Sequence, residues 1–294
     1  MAKGQSADKL IHRLSKTRVG PGKQRTRVID LPSLRLISAK TQTTPLETEI
    51  ACLEHGVVPA RYLRNIGTIG LEGQIKLLRS TVAVCGAGGL GGTIVELLAR
   101  QGVGHLVVID RDRFVENNLN RQIMATEKDL RKSKVKAAAE RVKKINSAVA
   151  VTPIHKTINT QTVTKFIRNA SVVIDALDNY RTRRIVALAC DRLGIPFVHG
   201  AIAGFCGQLM TILPGDEGLN AISHVSGTGN GCGVEVLTGN PAATPAIIAA
   251  WQVQEAIKII TGIGRPIRNR LIFLDFLENT FDEIILCQRE REVI

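Results

Sequence analysis

Thr81-Val82-Ala83-Val84-Cys85 is a short apolar run that ends in the cluster Gly86-Ala87-Gly88-Gly89-Leu90-Gly91-Gly92, and an apolar stretch from Ile94 to Gln101, closed by Gly102, follows it. The order is strand, tight turn, helix, and few folds accommodate it. Without side chains at Gly86, Gly88, Gly89 and Gly91, backbone N–H groups can approach a phosphate at a helix N-terminus, where aligned peptide dipoles favour negative charge. Asp110 ends the next apolar run, His105 to Asp110. It stands about twenty residues beyond Gly88, where an acid usually takes ribose hydroxyls. Together these features indicate a nucleotide without saying which one, and a dinucleotide of the NAD type is the first rival.

The alternation continues downstream. A helical pattern with Val135, Ala138, Ala139, Val142 and Ile145 on one face runs to about Asn146. Strands are predicted over Val149–Ile154, Ser171–Asp175 and Pro196–Gly200, with a helix over Thr182–Leu193 stopped by Gly194. Such a chain builds an α/β fold, a Rossmann-like, mostly parallel sheet flanked by helices. After Gly200 a strand is expected at Gly207–Leu213, then a loop over Pro214–Pro245 dense in Gly, Asn, Ser and Thr. A helix over Ile247–Thr261 and strands at Arg270–Phe276 and Glu283–Cys287 add antiparallel strands at the C-terminal side.

Composition narrows the setting. With 294 residues, 44% of them hydrophobic, the chain can bury a real core. No apolar run approaches the roughly 18 residues of a membrane span, and Met1 to Lys16 is polar and basic, so a soluble cytoplasmic protein is expected. The six cysteines, Cys52, Cys85, Cys190, Cys206, Cys232 and Cys287, form no C-x-x-C pair, which argues against a disulfide framework or a four-thiolate zinc site. The net charge of +13 is concentrated before residue 45, where ten Lys and Arg face only Asp8 and Asp30. That stretch carries no aromatic residue for base stacking, so nucleic acid is an unlikely partner, and an acidic protein partner or simple solubility is the better reading. Residues 1–45, with Pro21 and Pro32 as breakers, read as a basic flexible extension, and 46–294 as one nucleotide-binding domain. Helical spacing appears over Leu46–Leu78, interrupted at Gly67 and Gly70.

Two further strings carry chemistry. In Asn117-Asn118-Leu119-Asn120-Arg121-Gln122, Arg121 offers a fork of donors for phosphoryl oxygens and Asn118 can orient a nucleotide, while Lys134 at the next helix start adds a second cation. A solvated loop with a helix-start lysine is the plain alternative. Asp175-Ala176-Leu177-Asp178-Asn179 follows an apolar strand directly, which puts a carboxylate at the carboxyl edge of the sheet, and Asp178 can hold Mg²⁺ on a triphosphate. Helix capping by Asp178 or Asn179 explains the same string without a ligand.

In order and spacing these elements resemble the MoeB/ThiF/HesA adenylyltransferases, bacterial relatives of ubiquitin-activating enzymes, over about residues 60 to 288. Arg61-Tyr62-Leu63-Arg64-Asn65 is similar to the family's Arg-Tyr-x-Arg-Gln segment, whose second arginine reaches the neighbouring subunit's ATP site. The resemblance therefore implies a homodimer with Arg64 donated across it. Glu255-Ala256-Ile257-Lys258 matches as well, although a packing helix explains it equally. The resemblance implies ATP and Mg²⁺ as cofactors. It gives Gly86, Gly88, Gly89, Gly91, Asp110, Asn118, Arg121, Gln122, Lys134, Asp178 and Asn179 as nucleotide-binding residues. The implied reaction is adenylylation of the C-terminal glycine of a small ubiquitin-like carrier of the MoaD/ThiS type ending in Gly-Gly, its tail lying under a crossover loop at about 214–245. Cys232 falls where relatives place a thiol able to take the acyl group, and a spare loop thiol is the alternative. The chain departs from the pattern in lacking the paired zinc cysteines, so no zinc is expected, and in its long basic extension. A tRNA threonylcarbamoyladenosine dehydratase, a non-catalytic carrier-binding scaffold and an NAD oxidoreductase are the competing readings.

Overall fold

The computed structural model describes residues 7–23, 25–223 and 238–286. Thr81–Cys85 forms β4, the strand on which the sheet is organised, because it is apolar on both faces and pairs on both edges. β5 (His105–Ile109) lies on one side with β6 (Ala150–Ile154) beyond it, and β7 (Val172–Asp175) and β8 (Phe197–Ala203) lie on the other, all parallel. β9 (Cys206–Ile212), β10 (Arg270–Asp275) and β11 (Thr280–Ile285) extend the sheet antiparallel past β8, giving the order β11-β10-β9-β8-β7-β4-β5-β6.

Side-chain alternation along β4 divides the core. Val82 and Val84 point into one layer with Ile94 and Leu98 of α5 (Gly89–Gln101) and Val135 and Val142 of α6 (Lys134–Ile145). Ala83 and Cys85 point into the opposite layer with Val163 and Ile167 of α7 (Val163–Ile167) and Val186 and Ala189 of α8 (Tyr180–Leu193). Each fully buried Val, Leu or Ile contributes about 1.5–3 kcal/mol from apolar burial, so both layers hold the strand ends in place. The last long helix starts at Ala243, four positions ahead of the expected Ile247, because Pro245 is tolerated in a first turn. Its Glu255 accepts hydrogen bonds from Thr211 Oγ1 (2.7 Å) and the Ile267 N–H (2.6 Å), so the Glu-Ala-Ile-Lys string packs the helix onto the sheet. Among the described residues no helix is long and apolar enough to cross a membrane.

The region expected to be a flexible basic arm is folded over its described part. α1 (Ala7–Leu14), β1 (Lys16–Val19), β2 (Arg25–Ile29) and α2 (Leu31–Thr41) build a unit with α3 (Pro45–Glu54) and β3 (Val57–Pro59). Its sheet has the order β1-β2-β3, with β1 antiparallel and β3 parallel to β2. Leu10, Ile11, Ile29, Leu34 and Ile37 are buried together with Cys52 and Val57, and these few apolar residues outweigh the charge around them. Pro32, read as a breaker, sits in the first turn of α2, where Asp30 caps the helix by accepting the Ser33 N–H at 3.0 Å. The expected boundary at residue 45 falls on a capping box between Thr44 and Glu47 that starts α3. Ile11→Ala is therefore expected to destabilise this unit by about 2–5 kcal/mol, seen as faster amide exchange and proteolysis over residues 7–45; a mobile arm would show no change.

The N-terminal unit is tied to the main sheet by a buried polar chain. Tyr62 Oη donates to Glu49 Oε2 (2.8 Å), and Asn146 Nδ2 donates both to Tyr62 Oη (2.8 Å) and to the Ala99 carbonyl (3.1 Å). Arg61 donates to Asn146 Oδ1. Asn146 is the residue immediately after α6, so the chain fixes the far end of that helix. α4 (Leu63–Arg79) follows Tyr62 and breaks at Gly70, whose φ is +67°, whereas Gly67 stays helical.

Candidate active site

A cavity of about 410 Å³ opens at the carboxyl edge of the parallel strands, where open α/β sheets bind ligands. Its floor is the glycine turn. Gly86 has a φ of +100°, and a Cβ there would lie 2.3 Å from the Ala176 carbonyl oxygen. A Cβ on Gly91 would lie 2.0 Å from the Gly86 oxygen, so this glycine lets helix and turn close on each other rather than touching the cavity. α5 begins without a side-chain cap at Gly88, and Gly88, Gly89 and Leu90 line the cavity, which leaves the first-turn N–H groups for an anion.

Asp110 extends from the end of β5 and works on both sides. Its Oδ2 accepts the Ala87 N–H at 2.8 Å and its Oδ1 accepts the Asp112 N–H at 2.7 Å, so one carboxylate joins the glycine turn to the following loop. Each oxygen keeps a second lone pair for a hydroxyl. Lys134, buried at 7% exposure, pairs through Nζ with Asp112 Oδ2 at 3.3 Å while its own N–H donates to the Asp112 carbonyl. Arg121 Nη1 donates to the Asn117 carbonyl (2.9 Å) and Asn120 Oδ1 (2.8 Å), which aims the rest of the guanidinium at the cavity.

Of the nucleotide-binding residues expected from sequence, Gly86, Gly88, Gly89, Asp110, Arg121, Gln122, Lys134, Asp178 and Asn179 line this one cavity. Asn118 does not. It is buried, its Oδ1 accepts the Val115 N–H at 3.1 Å, and it builds the loop that carries Arg121. Arg64 is exposed at the start of α4 and does not line the cavity. Cys232 and the central part of the expected crossover loop lie outside the described residues. The capping alternative for Asp178-Asn179 belongs to Asn179, whose Oδ1 accepts the Thr182 N–H at 2.9 Å. Asp178 is left exposed, and its one bond among the described residues is from Asn179 Nδ2 at 3.2 Å.

Two buried acceptors at the cavity, Gln122 Oε1 and Asn240 Oδ1, have no hydrogen-bond partner among the described residues. Unpaired buried acceptors call for a donor such as an exocyclic amine or a ribose hydroxyl. Among the described residues no three His, Cys, Asp or Glu side chains gather as a metal site, so Mg²⁺ at Asp178 would take its other ligands from phosphate and water, as that ion usually does.

Sequence reasoning missed the groups beneath the cavity. Asp175, fully buried at the end of β7, accepts Arg183 Nε at 2.6 Å and His199 Nδ1 at 2.8 Å on Oδ2, and the Leu177 N–H at 3.0 Å on Oδ1. Burial alone would raise the Asp175 carboxyl, but the Arg183 guanidinium and the His199 bond outweigh it and hold it below the ordinary value. Burial pushes His199 down, against the raising effect of Asp175, and its Nε2 lies 3.1 Å from Gln208 Nε2. A histidine in the otherwise apolar strand Phe197–Ala203 was the one available signal.

Both shifts favour the deprotonated form in the fold, so the unfolded chain binds protons first as pH falls. Stability is present above the ordinary histidine value of about 6.5 and is lost below it, with a further loss as Asp175 titrates. The melting temperature should drop between pH 7.5 and 5, and His199→Gln should flatten that drop; an unchanged slope in the variant would remove His199 from the account.

The chain matches the ThiF family over residues 62–292. It is 36% identical over 229 residues to the SAMP-activating enzyme E1 of Haloferax volcanii, covering 76% of this chain and 84% of that one. Identity to the sulfur carrier protein ThiS adenylyltransferase of Bacillus subtilis is 37% over 213 residues, covering 69% and 61%. Against adenylyltransferase and sulfurtransferase MOCS3-1 of Zea mays it is 36% over 239 residues, and the match covers 76% of this chain but 49% of that longer relative. The crystal structure of E. coli MccB with MccA-N7isoASN shares the fold at a TM-score of 0.70 and 23% identity, covering 78% of this chain and 72% of that one.

Proposed function

Because the chain belongs to the ThiF family and is an adenylyltransferase, we propose that it uses ATP to adenylylate the C-terminal glycine of a ubiquitin-like sulfur carrier ending in Gly-Gly. The observation that carries this reading is the convergence of Arg121, Lys134 and Asp178 on the cavity that the glycine turn and Asp110 line. A redox dinucleotide needs no guanidinium, ammonium and free carboxylate around its phosphates, whereas a triphosphate does.

The carrier's carboxylate is itself the nucleophile. Its oxygen bonds to the α-phosphorus as the bond to the bridging oxygen breaks and pyrophosphate leaves, so no general base is required. Catalysis is then positioning and charge neutralisation: the turn and Asp110 fix the nucleotide, and Lys134 and Arg121 meet the negative charge on the phosphoryl oxygens. Mg²⁺, held at Asp178 through phosphate and water oxygens, would supply further neutralisation of the leaving pyrophosphate. Cys232 is proposed to take the acyl group afterwards, its sulfur bonding to the acyl carbon as the acyl–phosphate bond breaks and AMP leaves with the thiol proton lost to solvent, and no structural zinc is part of the reading. The setting is proposed to be the cytoplasm.

Arg64 is proposed to complete the site of a second copy, a role supported by its exposure and its absence from the chain's own cavity lining. Mixing Arg64→Ala and Lys134→Ala subunits should then restore activity, because a mixed dimer holds one intact composite site; additive inactivity would sink the homodimer assignment. The function itself is tested by ATP–pyrophosphate exchange that depends on a Gly-Gly-ended carrier. Exchange supported by tRNA instead would favour the dehydratase reading, and binding without exchange would favour the scaffold. Cys232→Ser should leave exchange intact and impair only later transfer.

A further inference from the structure

The cavity has two chemically different ends. Asp110, Arg121 and Lys134, with Arg111 and Lys156, come from the segments that follow β5 and β6, while β8 supplies Ala201 and Ile202 and α8 supplies Arg183. Arg183 is 12% exposed, and Asp175 and Leu177 fix it. Nε donates to Asp175 Oδ2 at 2.6 Å and Nη2 to the Leu177 carbonyl at 2.7 Å, whereas Nη1 makes no hydrogen bond among the described residues. His199, on β8, holds the other approach to Asp175 Oδ2, and Gln252 holds the Asp175 carbonyl (2.7 Å) and the Val198 carbonyl (3.2 Å). The guanidinium therefore cannot swing to solvent without leaving a buried carboxylate without its arginine counter-ion, which is costly.

We propose that Arg183 receives the carboxylate of the carrier's tail through Nη1, with Asp175 and His199 as positioning residues that aim it. The inference rests on the adenylyltransferase reading above and names the group that holds the nucleophile. A small apolar wall at Ala201 and Ile202 suits a glycine tail, and a cation there collects a carboxylate while Lys134 and Arg121 stay committed to phosphate. The interaction is strongest before reaction, because the carboxylate loses its charge when the acyl–phosphate bond forms. It therefore governs carrier binding more than the chemical step.

The test uses a ThiS-type β-grasp protein ending in Gly-Gly, prepared by intein chemistry with either a free C-terminal carboxylate or a carboxamide. Both forms are titrated calorimetrically into the full-length protein in the presence of α,β-methylene ATP. The wild type should prefer the carboxylate form by about tenfold or more, the worth of one charge-assisted hydrogen bond. Arg183→Gln should erase that preference while affinity for the ATP analogue stays unchanged. His199→Gln, whose amide can still donate to Asp175, should keep the preference, and His199→Leu should weaken it. If Arg183→Gln does not fold, Arg183→Lys carries the test, since it keeps the charge but cannot make both anchoring bonds and should retain only part of the preference. A preference that survives Arg183→Gln, or a variant that loses both carrier forms and the ATP analogue alike, overturns the proposal. A wild type that binds neither carrier form defeats the adenylyltransferase reading instead, and this inference with it.

Discussion

Lys134→Ala is expected to lower carrier-dependent ATP–pyrophosphate exchange by about 10²–10³-fold, the scale on which removing one preorganised charge-stabilising donor acts. The lysine is nearly buried and its ammonium is held by Asp112, so it is already in place when negative charge shifts toward the leaving pyrophosphate. Removing it leaves Asp112 half-exposed and hydratable, so the fold should survive, with a melting temperature close to wild type. Arg121→Ala should act similarly, since its anchoring bonds are to a loop carbonyl and an asparagine and not to the core. Exchange within a few-fold of wild type in either variant would show that the phosphates lie elsewhere.

The second large effect is structural. Gly91→Ala should cost about 3 kcal/mol or more and abolish nucleotide binding, because its Cβ would overlap the Gly86 carbonyl and both atoms belong to backbone that neighbouring elements hold. Gly86→Ala adds a left-handed φ to a similar overlap with the Ala176 carbonyl. Gly194→Ala is the control: it also has a positive φ, of +68°, but nothing lies within 4 Å of the added carbon, so it should cost only about 1–2 kcal/mol. Thermal melts with and without ATP·Mg²⁺ separate these cases. A Gly91→Ala protein with normal stability and nucleotide binding would contradict the packing described for the turn.

The parts legible in the sequence were those with local causes. The strand over Thr81–Cys85, the turn and the following helix are specified by residues adjacent in the chain, and Asp110, Arg121, Lys134 and Asp178 follow their strands at short distances. The N-terminal unit was not legible, because Leu10, Ile11, Leu34 and Ile37 are sparse among Lys and Arg and bury themselves only against Cys52 and Val57 farther along. Asn118 shows why a polar string is ambiguous: such a side chain can serve a ligand or its own loop, and here its Oδ1 accepts the Val115 N–H while the residue stays out of the cavity lining. Asp175, Arg183 and His199 meet across two strands and a helix, and that meeting depends on sheet order, which no local pattern encodes.

α6 links two places that are far apart along the chain. Lys134 is its first residue, and its other end is clamped by Asn146, Tyr62 and Arg61 to the N-terminal unit. Twelve helical residues make a stiff rod about 18 Å long. A displacement of the N-terminal unit against the sheet is therefore carried along that rod to the cavity-lining ammonium of Lys134.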